Sequence, residues 1–532
     1  MTGRLIAMRD ANRRWWTLGA MCFALFMIML DNTVVNVALP SIQRDLHASL
    51  SALEWTVNAY TLTFAVLLVT GGRLGDIFGR RRMFLSGVIV FALSSAAIGV
   101  TPNDTWLIIG RAVQGIGAAF MLPATLSIVT NAFPPHERGK AIGTWAGVSA
   151  MALAIGPVVG GLLTEQVSWR AIFFLNLPVA VGAVVVTLFA ARESRDETVE
   201  RVVDIPGIAT LTAGLTAIVL ALVEGNSWGW GSTRIVGLLI GAAIALAAFV
   251  VIELRSRVPM VDFKFFRSRS FLGANLVAFV VTFSMLAMFF FIALYLQNVL
   301  GYSPLQAGVR FLPATVVIIF MGPIAGRLSD RIGPRPLMVI GLVMASGALF
   351  WQSFVTVHRS YAFLAPAFAL MGLGMGLIMS PMTTAGMNAV DRTKAGVASG
   401  VLSMSRMVGG TFGVAVLGAL VTAVGRAKLD QLLPALPAGK RQALADALGS
   451  GGVPGASGQV ADAVREAFVA ALRDGLRVGA AVALLGAVLA YALIQREPTR
   501  AEGDDAVEPA SATTAGPLAE AEAEAELVSG RA

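Results

Sequence analysis

Gly72–Arg82 reads G-R-L-G-D-I-F-G-R-R-R, and 254 residues further on Gly326–Arg335 reads G-R-L-S-D-R-I-G-P-R. Each copy leaves one long apolar run and enters another, which predicts a tight polar turn at a membrane surface. Glycines let two helix ends approach, an aspartate can cap a helix amino end, and arginines stay among lipid phosphates. One such copy would read equally well as a basic cytoplasmic loop. Two copies in matching places, each after the second apolar run of a half, point to a duplicated transporter.

The rest of the chain agrees with a membrane setting. Of 532 residues, 56% are hydrophobic and only 14% are charged, too few to cover the surface of a water-soluble globule of this size. The net charge of +8 does not form a basic stripe; the cations are scattered through short loops, so nucleic acid is not expected as a partner. Cys22, the only cysteine, lies in an apolar run, which excludes disulfides and thiolate metal sites within one chain. The first apolar run is too long for a cleavable signal and is entered through Arg9, Arg13 and Arg14, so it reads as a retained transmembrane helix.

Apolar runs of roughly 18 residues or more give fourteen candidate spans: 15–37, 54–72, 83–101, 106–126, 141–163, 171–190, 207–223, 235–252, 271–296, 305–326, 336–356, 361–386, 396–425 and 476–495. The expected fold is therefore an all-α integral membrane protein. Lys and Arg are richer in the loops that fall inside when the amino end is cytoplasmic, which places both termini inside. The second copy of the repeat follows span ten, where a plain twelve-helix duplication would put it after span eight. The economical reading is six helices, two, then six. Residues 1–14 are then a cytoplasmic amino end, 15–191 one six-helix bundle, 192–269 an inserted helix pair with its linkers, and 270–496 a second six-helix bundle. Within the second bundle, 426–475 is expected to be an external loop, in which Val464, Ala467, Phe468, Ala471 and Leu472 share one face of a short surface helix. The acidic, Ala-rich segment 497–532 is expected to be a disordered cytoplasmic tail.

Charges left inside the spans are the candidates for chemistry: Asp31, Arg111, Arg310 and Arg406. A charge in hydrocarbon costs roughly 2.5–3.5 kcal/mol, so such residues face a cavity or a partner. Glu54, Glu224, Glu253 and Arg477 sit at span edges and are expected to reach water. Asp31 lies ~24 Å along the first span and Arg111 ~8 Å into the oppositely running fourth, so the two share a depth in the outer half and an ion pair is permitted. Such a pair is either a protonation site or a static clamp between helices. Asn58, Tyr60, Phe64, Trp145, Asn275 and Gln297 are candidates for lining an amphipathic cavity, with Trp55 equally suited to an interfacial anchor. Arg310 and Arg406 could bind anionic parts of a substrate, pair with the Asp31 region or contact backbone carbonyls. No phosphate loop, metal-ligand cluster or nucleophile triad stands out, which disfavours ATP drive and an enzyme.

The repeated turn resembles the signature loop of the major facilitator superfamily, carried by Gly72, Gly75, Asp76, Gly79, Arg80 and Arg81 and again by Gly326, Asp330 and Arg331, with Ile77 and Pro334 departing from the pattern. The six-two-six plan resembles that superfamily's fourteen-span drug:proton antiporter branch over about residues 15–425. Leu30–Pro40, L-D-N-T-V-V-N-V-A-L-P, resembles the branch's first-helix signature, with Asp31 and Asn36 at its polar positions. Leu107–Ala119, L-I-I-G-R-A-V-Q-G-I-G-A-A, resembles the fourth-helix motif, in which the resemblance implies that Arg111 takes part in proton transfer and Gln114 supports it. Gly143, Gly156, Pro157, Gly160 and Gly161 resemble the antiporter motif of the fifth helix, with Ala152 where a further glycine is usual. Glu54–Tyr60, E-W-T-V-N-A-Y, resembles the second helix.

The resemblance implies a proton-coupled exporter of amphipathic, drug-like compounds in the cytoplasmic membrane, working by alternating access as a monomer. It would need no cofactor, because the proton gradient drives it. The alternatives are a dedicated exporter of one endogenous metabolite or antibiotic and, from another class, a non-transporting membrane sensor or scaffold.

Overall fold

A computed structural model describes residues 10–195, 202–257, 259, 261–390, 395–437, 439–441, 444, 448 and 458–495; the expected tail at 497–532 and the first nine residues lie outside this description. The described residues form helices and turns and contain no strand. We number the long helices α1 (Asp10–Leu46), α2 (Leu50–Phe78), α3 (Arg80–Gly99), α4 (Asp104–Ala132), α5 (Pro135–Gln166) and α6 (Ala171–Phe174 continued by Asn176–Ala190). Then follow α7 (Ile205–Trp228) and α8 (Thr233–Arg255), α9 (Arg269–Leu294, extended by a π turn at Tyr295–Val299) and α10 (Pro304–Arg310 with Leu312–Ile332). The last four are α11 (Pro334–Gln352), α12 (Tyr361–Asn388), α13 (Ala395–Leu432) and α14 (Gln459–Leu493). Among the described residues thirteen stretches are long and apolar enough to cross a membrane. The 32-residue α5, some of whose side chains lie outside the description, brings the long helices to the fourteen that the apolar runs predict.

Helix starts follow ordinary capping chemistry. Ser49, Asn103, Asp204, Ser232 and Ser268 each accept a hydrogen bond from a backbone amide of the turn they precede, and Ser303 with Gln306 closes a capping box on α10. Helices α1–α6 pack on one another, as do α9–α14, while α7 and α8 pair together and α7 also lies against α2 and α13. The bundles meet along α2–α13, α5–α10 and α1–α9. α8 turns Val236, Leu239, Ile240, Ile244 and Leu254 outward, an apolar surface that suits lipid. We call the end at which α1 begins proximal and the other distal.

Two expectations change. The stretch Gly72–Phe78 is not a turn: α2 runs on through Gly72, Gly75 and Asp76, and the chain breaks only at Gly79, whose φ of 110° a side-chain-bearing residue rarely adopts. The second copy repeats this, with Gly326, Asp330 and Arg331 inside α10 and the break at Gly333, φ 83°. The loop expected at 426–475 is shorter at both ends, since α13 continues to Leu432 and α14 begins at Gln459. The proposed surface helix is therefore the first half of α14. Its apolar face, Val464, Ala467, Phe468, Ala471 and Leu472, is buried in the main core, because an amphipathic stripe is the same in sequence whether lipid or protein covers it.

Candidate functional site: a buried ion pair beside the bundle seam

Asp31 and Arg111 meet. Both are 1% exposed, and Arg111 Nη1 donates to Asp31 Oδ2 at 2.5 Å. Gln114, one turn beyond Arg111 on α4, accepts from Arg111 Nη1 through Oε1 at 2.7 Å. Its Nε2 donates to Asp31 Oδ1 at 3.1 Å and to Ser95 Oγ at 2.8 Å. Arg111 Nε donates to the Thr56 carbonyl at 3.0 Å, and the Tyr60 ring stacks on the guanidinium at 4.2 Å. Asn176 of α6 donates to Ser95 Oγ at 3.2 Å. Side chains from α1, α2, α3, α4 and α6 thus converge on one buried charge pair in which each polar group constrains the next. Ser95 and Asn176 belong to it although they are small polar residues in apolar runs, Ser95 beside Ser94, and no spacing in the sequence marks them.

Not every candidate joins this cluster. Asn36 sits on α1 but donates to the Asn32 carbonyl at 3.2 Å, with its Oδ1 unpartnered. Tyr60, offered as a cavity residue, is instead buried against Arg111, and Phe64 packs beside it in the core of the first bundle at 5.7 Å between rings. Trp55 turns to the inserted helix, packing with Val219, Val223 and Ala415. Trp145 is half-buried and donates to Thr125 Oγ1 at 3.1 Å. Asn275 donates to Phe271 O on its own helix and accepts from Ser405 Oγ of α13, both at 2.8 Å, and Gln297 donates to the Val37 carbonyl at 2.8 Å across the α1–α9 contact. Asn58 is fully buried with neither amide atom partnered.

The two second-half arginines do not reach Asp31. Arg310 lies between Tyr302 and Tyr361, 3.6 Å and 5.2 Å from their ring centroids, and donates to Gln306 O at 2.9 Å. Arg406 is half-buried on α13 and its Nε has no hydrogen-bond partner among the described residues.

The α5 glycines are contact points rather than hinges by themselves. A Cβ at Gly160 would fall 2.7 Å from the Val34 carbonyl of α1, and Gly156 lies against Thr33. Gly161 faces the other bundle, where a Cβ would fall 2.5 Å from Pro304 O, and Gly308 of α10 lies against the Pro157 carbonyl in return. The surroundings of Gly143 and the side chain of Asp330 lie outside the described residues. Gly161→Val therefore wedges α5 from α10 at the distal end; the expected outcome is normal membrane expression with substrate binding retained and transport lost, read by comparing ligand binding with efflux.

The repeated motif is anchored within its own half. Asp76, expected as a helix cap, instead pairs with Arg80 one turn on at 2.8 Å, and the amino end of α3 is capped by Glu193, which accepts from Arg81 N at 3.0 Å and Arg82 N at 3.2 Å. Arg81 Nη2 donates to Leu188 O at 2.9 Å. Glu193 follows α6, so the proximal turn ties α2, α3 and the exit of the first bundle into one body.

Water access and sealing differ from the edge reading of two acids. Glu54 is 2% exposed and Glu253 3%, each covered by a neighbouring helix or linker that hydropathy cannot show. No group of three or more His, Cys, Asp or Glu residues among the described ones is arranged to hold a metal.

Comparison with known proteins agrees with this geometry. Residues 21–414 match the family described as the Major Facilitator Superfamily. The Tetracenomycin C resistance and export protein of Streptomyces glaucescens is 36% identical, with 94% of this chain and 95% of that protein covered. Multidrug resistance protein Stp of Mycobacterium tuberculosis is 38% identical over 78% of this chain and 77% of its own length, and the Puromycin resistance protein pur8 of Streptomyces alboniger is 38% identical over 78% and 84%. Among solved structures, a bacterial homologue of the human lysosomal transporter Spinster, inward-facing and occupied, superposes with a TM-score of 0.60 at 20% identity, covering 91% of this chain and 97% of that one, and so shares its fold. A duplicated helical body with a repeated proximal motif, matched over most of its length by resistance and export proteins, belongs to the Major Facilitator Superfamily.

Proposed function

We propose that this transporter exports amphipathic, drug-like compounds across the cytoplasmic membrane in exchange for protons, by alternating access between the α1–α6 and α9–α14 bundles. The observation that carries the reading is the sealed Asp31–Arg111–Gln114 cluster. It is a single carboxylate held by one cation and one amide, so adding a proton changes the charge of the whole site. The contacts of Gln297 with Val37 and of Gly161 with Pro304 lie at the distal end, which supports reading that end as external and closed, with both termini cytoplasmic. A proton arriving from outside while the distal end is open neutralises Asp31 and weakens the hold on a cationic or polar cargo. Its loss to the cytoplasm resets the site. Each ligand must favour one state or protonation form for this exchange to work. Among the described residues, half-buried Arg406 and the buried, unpartnered Asn58 are two polar groups available to meet cargo. The protein works as a monomer, with the proton gradient in place of a cofactor.

The test is fluorescent-dye efflux from expressing cells with and without a protonophore. Efflux that stops when the gradient collapses is the expected result; efflux that persists contradicts proton drive. A second reading, a dedicated exporter of one endogenous antibiotic, is favoured by the near end-to-end match with the tetracenomycin C protein. Protection against a single compound, with no effect on chemically unrelated drugs, would select it.

A further inference from the structure

Beyond the Asp31 cluster the first bundle buries another acid. Glu54 sits four residues into α2, is 2% exposed, and forms no hydrogen bond or ion pair with any other described residue. Helix α2 has two working faces. Thr56, Tyr60 and Thr63 point to α4: Thr56 O and the Tyr60 ring hold Arg111, and Thr63 Oγ1 donates to Ala112 O at 2.8 Å. Glu54, Asn58 and Thr61 lie on the opposite face, at helical spacing, along the seam with α13. Thr61 and Thr411 hydroxyls share a hydrogen bond of 2.7 Å across that seam, and seven residues earlier on α2 the Glu54 carboxylate is pressed directly against Gly418, seven residues later on α13. Asn58, between them, has neither amide atom partnered.

We propose that Glu54 is a second protonation site of the transport cycle, a gate and not a carrier, and that the α2–α13 seam closes distally only when Glu54 is neutral. The proposal rests on the alternating-access reading above. Among the described residues no cation and no hydrogen-bond donor engages the Glu54 carboxylate. α13 presents Gly418 there, and Ala415 of α13 packs with Trp55 of α2 nearby. The other charged group, from α7, is Glu224, a like charge already engaged by Ser51 Oγ at 2.6 Å and Ser227 Oγ at 2.8 Å. Packing a bare carboxylate against a helix backbone is strongly unfavourable, and the one charged group among the described residues that acts on it, Glu224, carries the same sign. Neutral, the same side chain fits. When the bundles part distally, Glu54 meets the external medium and exchanges its proton with that side alone, so it gates closure without moving a proton across the membrane, and re-closure requires it neutral. The inserted helix belongs to this device, since Asn226 of α7 donates to the Ala419 carbonyl of α13 while Glu224 holds Ser51 of α2, so α7 spans the seam beside Glu54.

The experiment measures distal opening by pulsed electron-spin distances between labels at His47→Cys and Ala427→Cys, both exposed, in full-length protein carrying Cys22→Ser and Asp31→Asn, in lipid nanodiscs. The Asp31→Asn background silences the first acid. The expected result is a shift towards the short, closed distance in acid relative to alkaline buffer. Glu54→Gln abolishes the shift by holding the closed population at both pH values, and Glu54→Asp retains it. Gly418→Ala, which places a methyl where the carboxylate lies, holds the seam open throughout. A shift unchanged by Glu54→Gln, or no shift with Glu54 present, overturns the proposal. Substrate-driven proton movement in protein with Asp31 intact is scored separately: its absence refutes antiport, while the distances still decide Glu54.

Discussion

Asp31→Asn is expected to abolish the uncoupler-sensitive part of efflux while the protein still reaches the membrane in normal amount. The substitution is nearly isosteric, and Arg111 keeps three carbonyl acceptors, from Thr56, Gln114 and the new amide, so the cluster stays packed. What disappears is the exchangeable proton. If proton and cargo are coupled by about 1–3 kcal/mol, the wild-type affinity for cargo changes by about 5- to 150-fold between protonation states. In the variant that pH dependence collapses to none. Measuring dye affinity in acidic and alkaline buffer checks it; a variant that keeps the wild-type pH dependence and gradient-driven transport removes Asp31 from the mechanism.

Arg111→Met has the larger effect on stability. It leaves Asp31 buried at 1% exposure with Gln114 Nε2 as its one remaining side-chain donor, and removing one partner of a buried pair costs about 3–5 kcal/mol. The loss is not additive. Asp31→Asn introduced into Arg111→Met removes the stranded charge and restores most of the stability, whereas independent sites would sum. Thermal unfolding of the four proteins of this cycle in one detergent decides the matter. A static clamp between α1 and α4 predicts the same unfolding pattern, but it predicts no effect of Asp31→Asn on pH-dependent affinity, so the two measurements together separate clamp from proton site.

Why some of this was legible in the chain and some was not follows from what each signal reports. The fourteen apolar runs report backbone that must bury its own hydrogen bonds, and each run became a helix. Asp31 and Arg111 could be matched by depth because a helix converts residue number into height. Height says nothing about azimuth. The sequence suits Tyr60 to a cavity, yet in the fold it is the cation-π shelf for Arg111, and Trp55, five residues before it, faces the inserted helix. The ends of their runs suit Glu54 and Glu253 to water, yet α13 covers one and the segment around Val261 the other, with Val261 N donating to Glu253 Oε2 at 3.1 Å. Ser95 and Asn176 enter the cluster only because α3 and α6 fold against α4 and α1. Tertiary cover decides all of these, and it is invisible to composition.

The second copy of the repeated motif shows the same limit from the other side. Both copies end their helix on a glycine with positive φ, Gly79 and Gly333, so the duplication is real in the backbone. The chemistry is not duplicated among the described residues: the second bundle shows no acid paired with a fourth-helix arginine, Arg310 sits among aromatic rings and Arg406 Nε has no hydrogen-bond partner there. On the proposed mechanism, the first half holds the proton site and the second supplies the surface against which it closes.

The most direct measurement is proton release on cargo binding, followed with a pH-sensitive dye in weakly buffered, purified protein. If Asp31 is where cargo and proton compete, adding cargo to the wild-type protein releases protons in proportion to the sites filled, and Asp31→Asn binds cargo with no release. Release of the same size from Asp31→Asn, or none from the wild type at any pH at which cargo binds, would contradict the account.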